Sequence, residues 1–532
     1  MGENTHIEMG VVCLINRSFL PFLLLPNPLV LFVVIRFTLL RAIYKLNNTS
    51  MITFILSIVA LILGYLIYGK FVEKKFGVDP DLVTPAIAKK DGVDFVPMNW
   101  KKIFLIQFLN IAGLGPIFGA IAGALWGPVA FIWIVVGCIF AGGVHDYFSG
   151  MLSVRHGGAS IPEVVGKYLG SGFKKFMRVF SVILLVLVGV VFIKGPAAIL
   201  TGLTGVNVSI LIGGIFLYYL LATMIPIDKL IGKIYPIFGI SLLVMAFGIA
   251  GALILGDHSI PELTATNFAN MHANPSKFVV FPMLFITIAC GAISGFHATQ
   301  SPLMARCMTN EKQGRKIFYG TMISEGIVAM IWAAAAMTFF GGVRELGETM
   351  GQSGHNAAWV VNEICGGLLG KIGGVLAIFG VVAAPITSGD TAFRSARLTI
   401  ADSFGYSQKK LIQRLAITLP LFAIGFLLTQ VNFAIIWRYF GWANQTLATI
   451  VLWTAAMYMV TKGRSHWFAT IPATFMTAVV TTYILIAPEG FHVSQTIAYT
   501  VGILTTIATL SVFLYVANTK MKPELREVKV RV

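Results

Sequence analysis

The chain has 532 residues, 57% of them hydrophobic and 11% charged, against roughly 45–50% and 25% in soluble domains. A water-soluble globule is excluded, and at about 20 apolar residues per crossing the length holds roughly ten to fourteen membrane spans. The net charge of +17 sits between apolar runs, so it reads as a topology signal at lipid headgroups and not as a nucleic-acid surface.

Residues 1–50 carry an apolar stretch broken by Pro21, Pro26 and Pro28 and flanked by Arg36, Arg41 and Lys45. Were that stretch a span, these cations would lie outside, against the charge rule. The segment therefore reads as a leader or dispensable N-terminal extension, with Met51 opening the functional protein. Thirteen apolar runs follow, at 52–69, 103–125, 128–151, 179–203, 210–225, 234–255, 279–300, 317–340, 373–393, 415–429, 434–459, 467–487 and 494–517. With the loop after the first run inside, most of the 39 Lys and Arg fall on the inner side. That predicts a multi-pass membrane protein with a cytoplasmic C-terminus.

Two runs are interrupted by Gly and Pro at corresponding places, which is the best sequence pointer to a transporter's binding site. The first reads Ile111-Ala-Gly-Leu-Gly-Pro-Ile-Phe-Gly119, and the second, five helices later, Cys290-Gly-Ala-Ile-Ser-Gly-Phe-His-Ala-Thr-Gln-Ser-Pro302. Close helix packing on small residues explains one such cluster; two at matching positions, each beside a proline, point to helices unwound at mid-membrane. The odd number of helices between them inverts the second half. The expected fold is an all-α polytopic membrane protein with a five-plus-five inverted-repeat transporter core. Its parts are one extra N-terminal helix with its cytoplasmic loop (51–102), repeats at 103–278 and 279–460, two extra C-terminal helices (461–517) and a basic cytoplasmic tail (518–532).

Unwound helices free N–H groups for anions and carbonyls for cations. Gln107, Asn110, Gly113 and Gly115 at the first break, and Ser294, Gly295 and His297 at the second, are therefore candidate substrate residues. Lys194, deep in a span, either snorkels to the outer surface or offers a counter-charge to a substrate carboxylate. Thr387, Ser388 and Asp390 follow Pro385 and offer the oxygens a coupling cation needs. The alternative for Asp390 is an i,i+4 pair with Arg394. Asp146, before Arg155, and likewise Arg394 and Arg397 are expected to take part in gating or structural ion pairs, and Glu325 either transfers protons or hydrogen-bonds within the bundle. Cys13, Cys138, Cys290, Cys307 and Cys365 are odd in number and lack metal spacing, as do His145, His156 and His355. No metal, cofactor or disulfide framework is expected. The expected partners are a small-molecule substrate, a coupling cation and the lipid bilayer.

Together with Asn110 through Gly119, the segments Trp126-Gly-Pro, Gly143-Val-His-Asp146, Ser153-Val-Arg-His-Gly-Gly-Ala-Ser160, Ile293-Ser-Gly-Phe-His-Ala298, Thr387-Ser-Gly-Asp390 through Arg394 and Arg397, and Phe440-Gly-Trp-Ala-Asn-Gln445 resemble the carbon starvation protein A family of bacterial inner-membrane transporters. The resemblance runs from about Met51 to the last span. It implies a fold akin to amino acid/polyamine/organocation transporters and cation-coupled uptake, by H⁺ or Na⁺, of pyruvate or small peptides during nutrient shortage. Composition and spacing alone support a secondary transporter with a midplane site. The other classes weighed are a nutrient sensor on a transporter fold, a channel and an integral-membrane enzyme. A channel would need a polar pore lining, and an enzyme a Walker loop, a metal-spaced cluster or a nucleophile elbow; none of these patterns is visible.

Overall fold

The computed structural model describes residues 51–530 except Val93, Ile225, Pro226, Asp257 and Lys409, and leaves the side chains of 223–236 and 520–530 undescribed. The reading of residues 1–50 as a leader falls outside the described residues. Every described element is helical. Helix α1 covers Ile52–Phe76, and α2 (Trp100–Ile111) and α3 (Gly115–Trp126) form a pair bent by 53°. Then come α4 (Val129–Arg155), α5 (Ile161–Leu169), α6 (Ser171–Thr204), α7 (Val208–Met224) and α8 (Ile227–Leu255). A second interrupted pair consists of α9 (280–287) and α10 (Gly295–Ala305). It is followed by α11 (Glu311–Phe339), α12 (Val343–Met350), α13 (Ala357–Leu376) and α14 (Ala383–Phe404). The chain closes with α15 (Leu411–Thr429), α16 (Phe433–Thr461), α17 (Trp467–Ile486) and α18 (Gln495–Val530).

Twelve of the thirteen predicted runs coincide with one of these helices or bent pairs, and the run at 373–393 straddles α13 and α14. Among the described residues nine helices are long and apolar enough to cross a membrane, and α2–α3 makes a tenth as one bent span. Helix α7, the α9–α10 pair and α16 fall short of that combined length and apolarity. The prediction of a single run at 373–393 is corrected. An additional helical stretch begins at Ala357, its first N–H groups taken by the Asn356 side chain. It breaks at Gly370, whose φ of 59° and ψ of −145° are open to glycine and costly for other residues.

Burial separates core from periphery. Helix α11 is buried through most of its length, with Trp332 fully enclosed, whereas α1 leaves Leu56, Leu66 and Ile67 exposed and α18 leaves Val512 and Tyr515 exposed. Exposed apolar side chains on helices of this length suit lipid. The start of α1 is held by Glu262, whose carboxylate accepts from the N–H groups of Ile52 at 2.6 Å and Thr53 at 2.8 Å. A negative group there offsets the positive end of the helix dipole.

Asp146 and Arg155 do not pair with each other. The two lie nine positions apart on one helix, about 13 Å along the axis. Arg155 instead grips Glu311 with two hydrogen bonds, from Nε at 2.8 Å and from the terminal nitrogen at 2.9 Å. The guanidinium also reaches the Tyr458 hydroxyl and the Gly77 carbonyl, while Asp79 N–H donates to the same carboxylate. Glu311 is fully buried, so this knot ties α1, α4, α11 and α16 together on the basic face. Removing one partner of such a pair costs about 3–5 kcal/mol because the other is left buried and uncompensated. Glu311→Gln is therefore expected to lower the melting temperature of the detergent-solubilised protein sharply, and adding Arg155→Met should recover part of the loss. A Glu311→Gln variant as stable as the wild type would refute this role.

Candidate functional site

The two breaks cross one another. A methyl group added to Gly115 would stand 2.3 Å from Cys290 Cβ and 2.4 Å from its sulfur, and one added to Gly119 would stand 2.9 Å from the Thr287 carbonyl oxygen. Glycine is required at these positions because the α3 backbone lies directly on the Cys290 side chain and the Thr287 carbonyl. Ala112, with φ −80° and ψ 51°, ends α2, and Pro116 opens α3 without an N–H to give. Ile288 (φ −93°, ψ 73°) ends α9, and Ser294 (φ −145°, ψ 121°) precedes α10 in an extended conformation.

The second break is satisfied by protein. Its Ile288 carbonyl accepts from Trp133 Nε1 at 2.9 Å and its Gly291 carbonyl from the Cys138 thiol at 3.0 Å. Asn444 on α16 accepts from the Phe296 N–H at 2.6 Å and exchanges hydrogen bonds with the Ser294 hydroxyl at 3.0 and 3.1 Å. A Cβ on Gly295 would stand 2.3 Å from the Asn444 carbonyl oxygen. Ser294 and Gly295 thus face α16. Asn444, unassigned from sequence although the resemblance quotes its motif, holds the start of α10.

The first break is different. Gln107 and Asn110, one turn before it, are fully buried, and all four of their side-chain polar atoms lack a hydrogen-bond partner among the described residues. Buried polar groups are nearly always paired, so such an exception calls for an explanation. Beside them, the Leu109 carbonyl accepts from the Ser388 hydroxyl of α14 at 2.9 Å, and Thr387 donates to the Ala384 carbonyl at 2.7 Å. The structure thus brings the Thr387–Ser388 pair against the first break. Asp390 and Arg394 stand 3.7 Å apart, with Arg394 also bonded to the Ala222 carbonyl at 3.1 Å. Arg397 is buried, and its Nε lacks a hydrogen bond among the described residues.

Phe192 of α6, which the sequence reading missed, closes this region. A Cβ on Gly113 would stand 2.7 Å from its ring, and the ring meets Phe296 edge-on at 5.9 Å. Its neighbour Lys194 points elsewhere, donating to the carbonyls of Thr429 at 2.7 Å and Val431 at 2.5 Å. It caps the C-terminal end of α15, where a cation also meets the negative end of the helix dipole. Lys194→Met is expected to cost about 1–3 kcal/mol of stability and to leave solute uptake near wild type. Collapsed uptake at unchanged melting temperature would reassign Lys194 as the substrate's counter-charge.

A chain of ionisable side chains runs behind the second break. His145 Nδ1 lies 2.7 Å from one oxygen of Asp146, His297 Nδ1 lies 2.9 Å from the other, and His297 Nε2 faces Glu325 at 3.2 Å. All four are fully buried. Asp146 therefore bonds across to α10 through His297 and makes no pair with Arg155. On the basic face below α10, a narrow cleft of about 30 Å³ is lined by Ser160, Thr299, Arg306, Ser395 and Asp402 among others. It begins two residues beyond His297.

Known proteins are similar to this chain in sequence. The family model described as "Carbon starvation protein CstA" matches residues 49–213, 196–369 and 354–483. The chain is 44% identical over 344 residues to an uncharacterised membrane protein of Haemophilus influenzae, covering 56% of this chain and 93% of that one. It is 26% identical to the peptide transporter CstA of Campylobacter jejuni, covering 81% and 80%. It is 27% identical to the pyruvate/proton symporter BtsT of Escherichia coli, covering 53% and 48%. Among solved structures, an Eremococcus coleocola manganese transporter mutant aligns with a TM-score of 0.45 at 12% identity, covering 80% of this chain and 97% of that one.

Proposed function

Since the chain belongs to the carbon starvation protein CstA family, we propose that it is a cation-coupled symporter that carries a small carboxylate-bearing solute, pyruvate or a small peptide, across the bacterial inner membrane. Membrane transport is the activity its relatives are named for. The observation that carries the finer reading is the pair of unpartnered amides, Gln107 and Asn110, beside the first break. A primary amide both donates and accepts, so the two can take up a carboxylate and the carbonyl or peptide group next to it.

In this reading the repeats are α2–α8 and α9–α16, and the C-terminal end lies in the cytoplasm. Both halves begin with an interrupted helix and carry short helices between longer ones, an order consistent with inverted repeats. The solute sits on Gln107, Asn110 and the backbone at Gly113 and Gly115, under Phe192, and leaves toward the basic face. The coupling cation is held by the Ser388 hydroxyl, the Leu109 carbonyl and Thr387, an all-oxygen set that suits Na⁺. The alternative, H⁺, is favoured by Asp390, a buried carboxylate whose partner Arg394 is 3.7 Å away.

The test is uptake of labelled pyruvate and of a dipeptide into proteoliposomes under separate pH and sodium gradients. Accumulation that follows one gradient, and that Ser388→Ala uncouples from sodium or Asp390→Asn from pH, supports the reading. Binding without gradient-driven accumulation of either solute would point to a nutrient sensor.

A further inference from the structure

We propose that Cys290, His297 and Glu325 form a binding site for a divalent transition-metal ion of the zinc class, where the second break meets α11. The ligating atoms of the three lie within 4.8 Å of one another, and all three residues are buried. They come from three segments: the break itself, the first turn of α10 and the middle of α11. Thiolate, imidazole and carboxylate together are a zinc-type donor set; the sulfur and nitrogen select against the hard cations that all-oxygen sites take.

The surroundings are built as a metal-bound histidine requires. A ligating imidazole gives its second ring N–H to a carboxylate, which fixes the tautomer and aims the free nitrogen at the metal. His297 Nδ1 meets Asp146 at 2.9 Å, and Asp146 is itself steadied by His145 at 2.7 Å. The atoms left facing inward, His297 Nε2 and the Glu325 carboxylate, are buried and meet only each other, at 3.2 Å, with no further hydrogen-bond partner among the described residues. Cys290 sulfur has long contacts of 3.5 Å with the Ser294 hydroxyl and the Asn444 amide. One ion bound between them replaces the His297–Glu325 contact and joins both side chains to the sulfur. Three protein ligands leave a fourth position for water, the pattern of an exchangeable site.

On binding, the Cys290 S–H bond breaks and the sulfur keeps the electron pair as a metal thiolate, the proton held between His297 Nε2 and Glu325 leaves so that both can ligate, and the two protons pass to solvent. Neither metal nor ligand changes oxidation state. Occupancy ties the second break to α11, so it is expected to stiffen the pair of crossing helices. The site requires no particular transported solute, and its test stands apart from that of the symport reading.

The experiment uses the full chain in detergent, stripped with chelator and titrated with Co²⁺ and then Zn²⁺. One Co²⁺ per chain with a thiolate-to-cobalt charge-transfer band, displaced by Zn²⁺ and accompanied by a higher melting temperature, is the expected result. Cys290→Ser should remove the band, Glu325→Gln should weaken binding at least tenfold, and Cys307→Ser should leave both unchanged. No thiolate band in the wild type, or a band that survives Cys290→Ser, overturns the proposal. Should Cys290→Ser fail to fold, zinc-edge X-ray absorption of the wild type decides: one sulfur at about 2.3 Å with nitrogen or oxygen at about 2.0 Å supports the site, and a spectrum without sulfur overturns it.

Discussion

Asn110→Leu should yield a protein that melts at a higher temperature than the wild type and transports at least tenfold less well. The stability gain follows from the unpartnered amide. A buried polar group without a hydrogen bond costs about 1–3 kcal/mol, and an apolar group of similar shape removes that cost. Asn110 Oδ1 and Nδ2 are both in this condition, and the residue is fully buried. The loss in transport follows from the same atoms, because a solute that pairs with them forfeits those hydrogen bonds, and about 1.4 kcal/mol is a factor of ten in affinity. Gln107→Leu should behave likewise. Melting curves in detergent and uptake in proteoliposomes check both halves together. A variant that is destabilised yet transports normally would mean that Asn110 serves the fold, and the solute site would have to be sought elsewhere.

The features legible in the sequence were those written locally. Apolar runs found the helices because crossing hydrocarbon is a property of a single segment. Gly113, Gly115 and Pro116, like Ser294 and Gly295, announced the breaks because a backbone that leaves the helix needs particular residues at that point. Helix α13 escaped because Gly366, Gly367, Gly370, Gly373 and Gly374, with Glu363 and Lys371, interrupt its apolar pattern. Partnerships were another matter. Asp146 stands before Arg155 on its own helix, while its partners are the adjacent His145 and His297, the latter arriving from a half-helix far along the chain. Lys194 carried a charge that invited a functional role, and only the position of Thr429 and Val431 shows what it bonds. Phe192 and Asn444 have no local signal at all: an aromatic on an apolar face and an amide on a long helix acquire meaning only from what packs against them.

Gly295→Ala tests whether the half-helix α10 must lie where it does, and its expected effect is the larger of the two. The added methyl group would meet the Asn444 carbonyl oxygen at 2.3 Å and the Ala448 nitrogen at 2.7 Å. Both are backbone atoms inside α16, so no side chain can rotate away, and the two helices must separate by about an ångström or more. Overpacking of this kind costs about 1–3 kcal/mol, occasionally more. The displacement also breaks the 2.6 Å bond from Phe296 N–H to Asn444 and carries His297 away from Asp146. A misplacement of about 1 Å can cost a factor of about a hundred where function depends on geometry, so uptake should fall by about that much even in the fraction that stays folded. Gly172→Ala supplies the matched comparison. It lies in α6 with nothing within 4 Å of its new methyl group, and glycine-to-alanine in a helix is worth up to about 1 kcal/mol of stability. Paired melting and uptake measurements should therefore separate the two substitutions in opposite directions. Equal behaviour would mean that α10 and α16 are not in contact at Gly295, and with that the anchoring of the second break by Asn444 would fall.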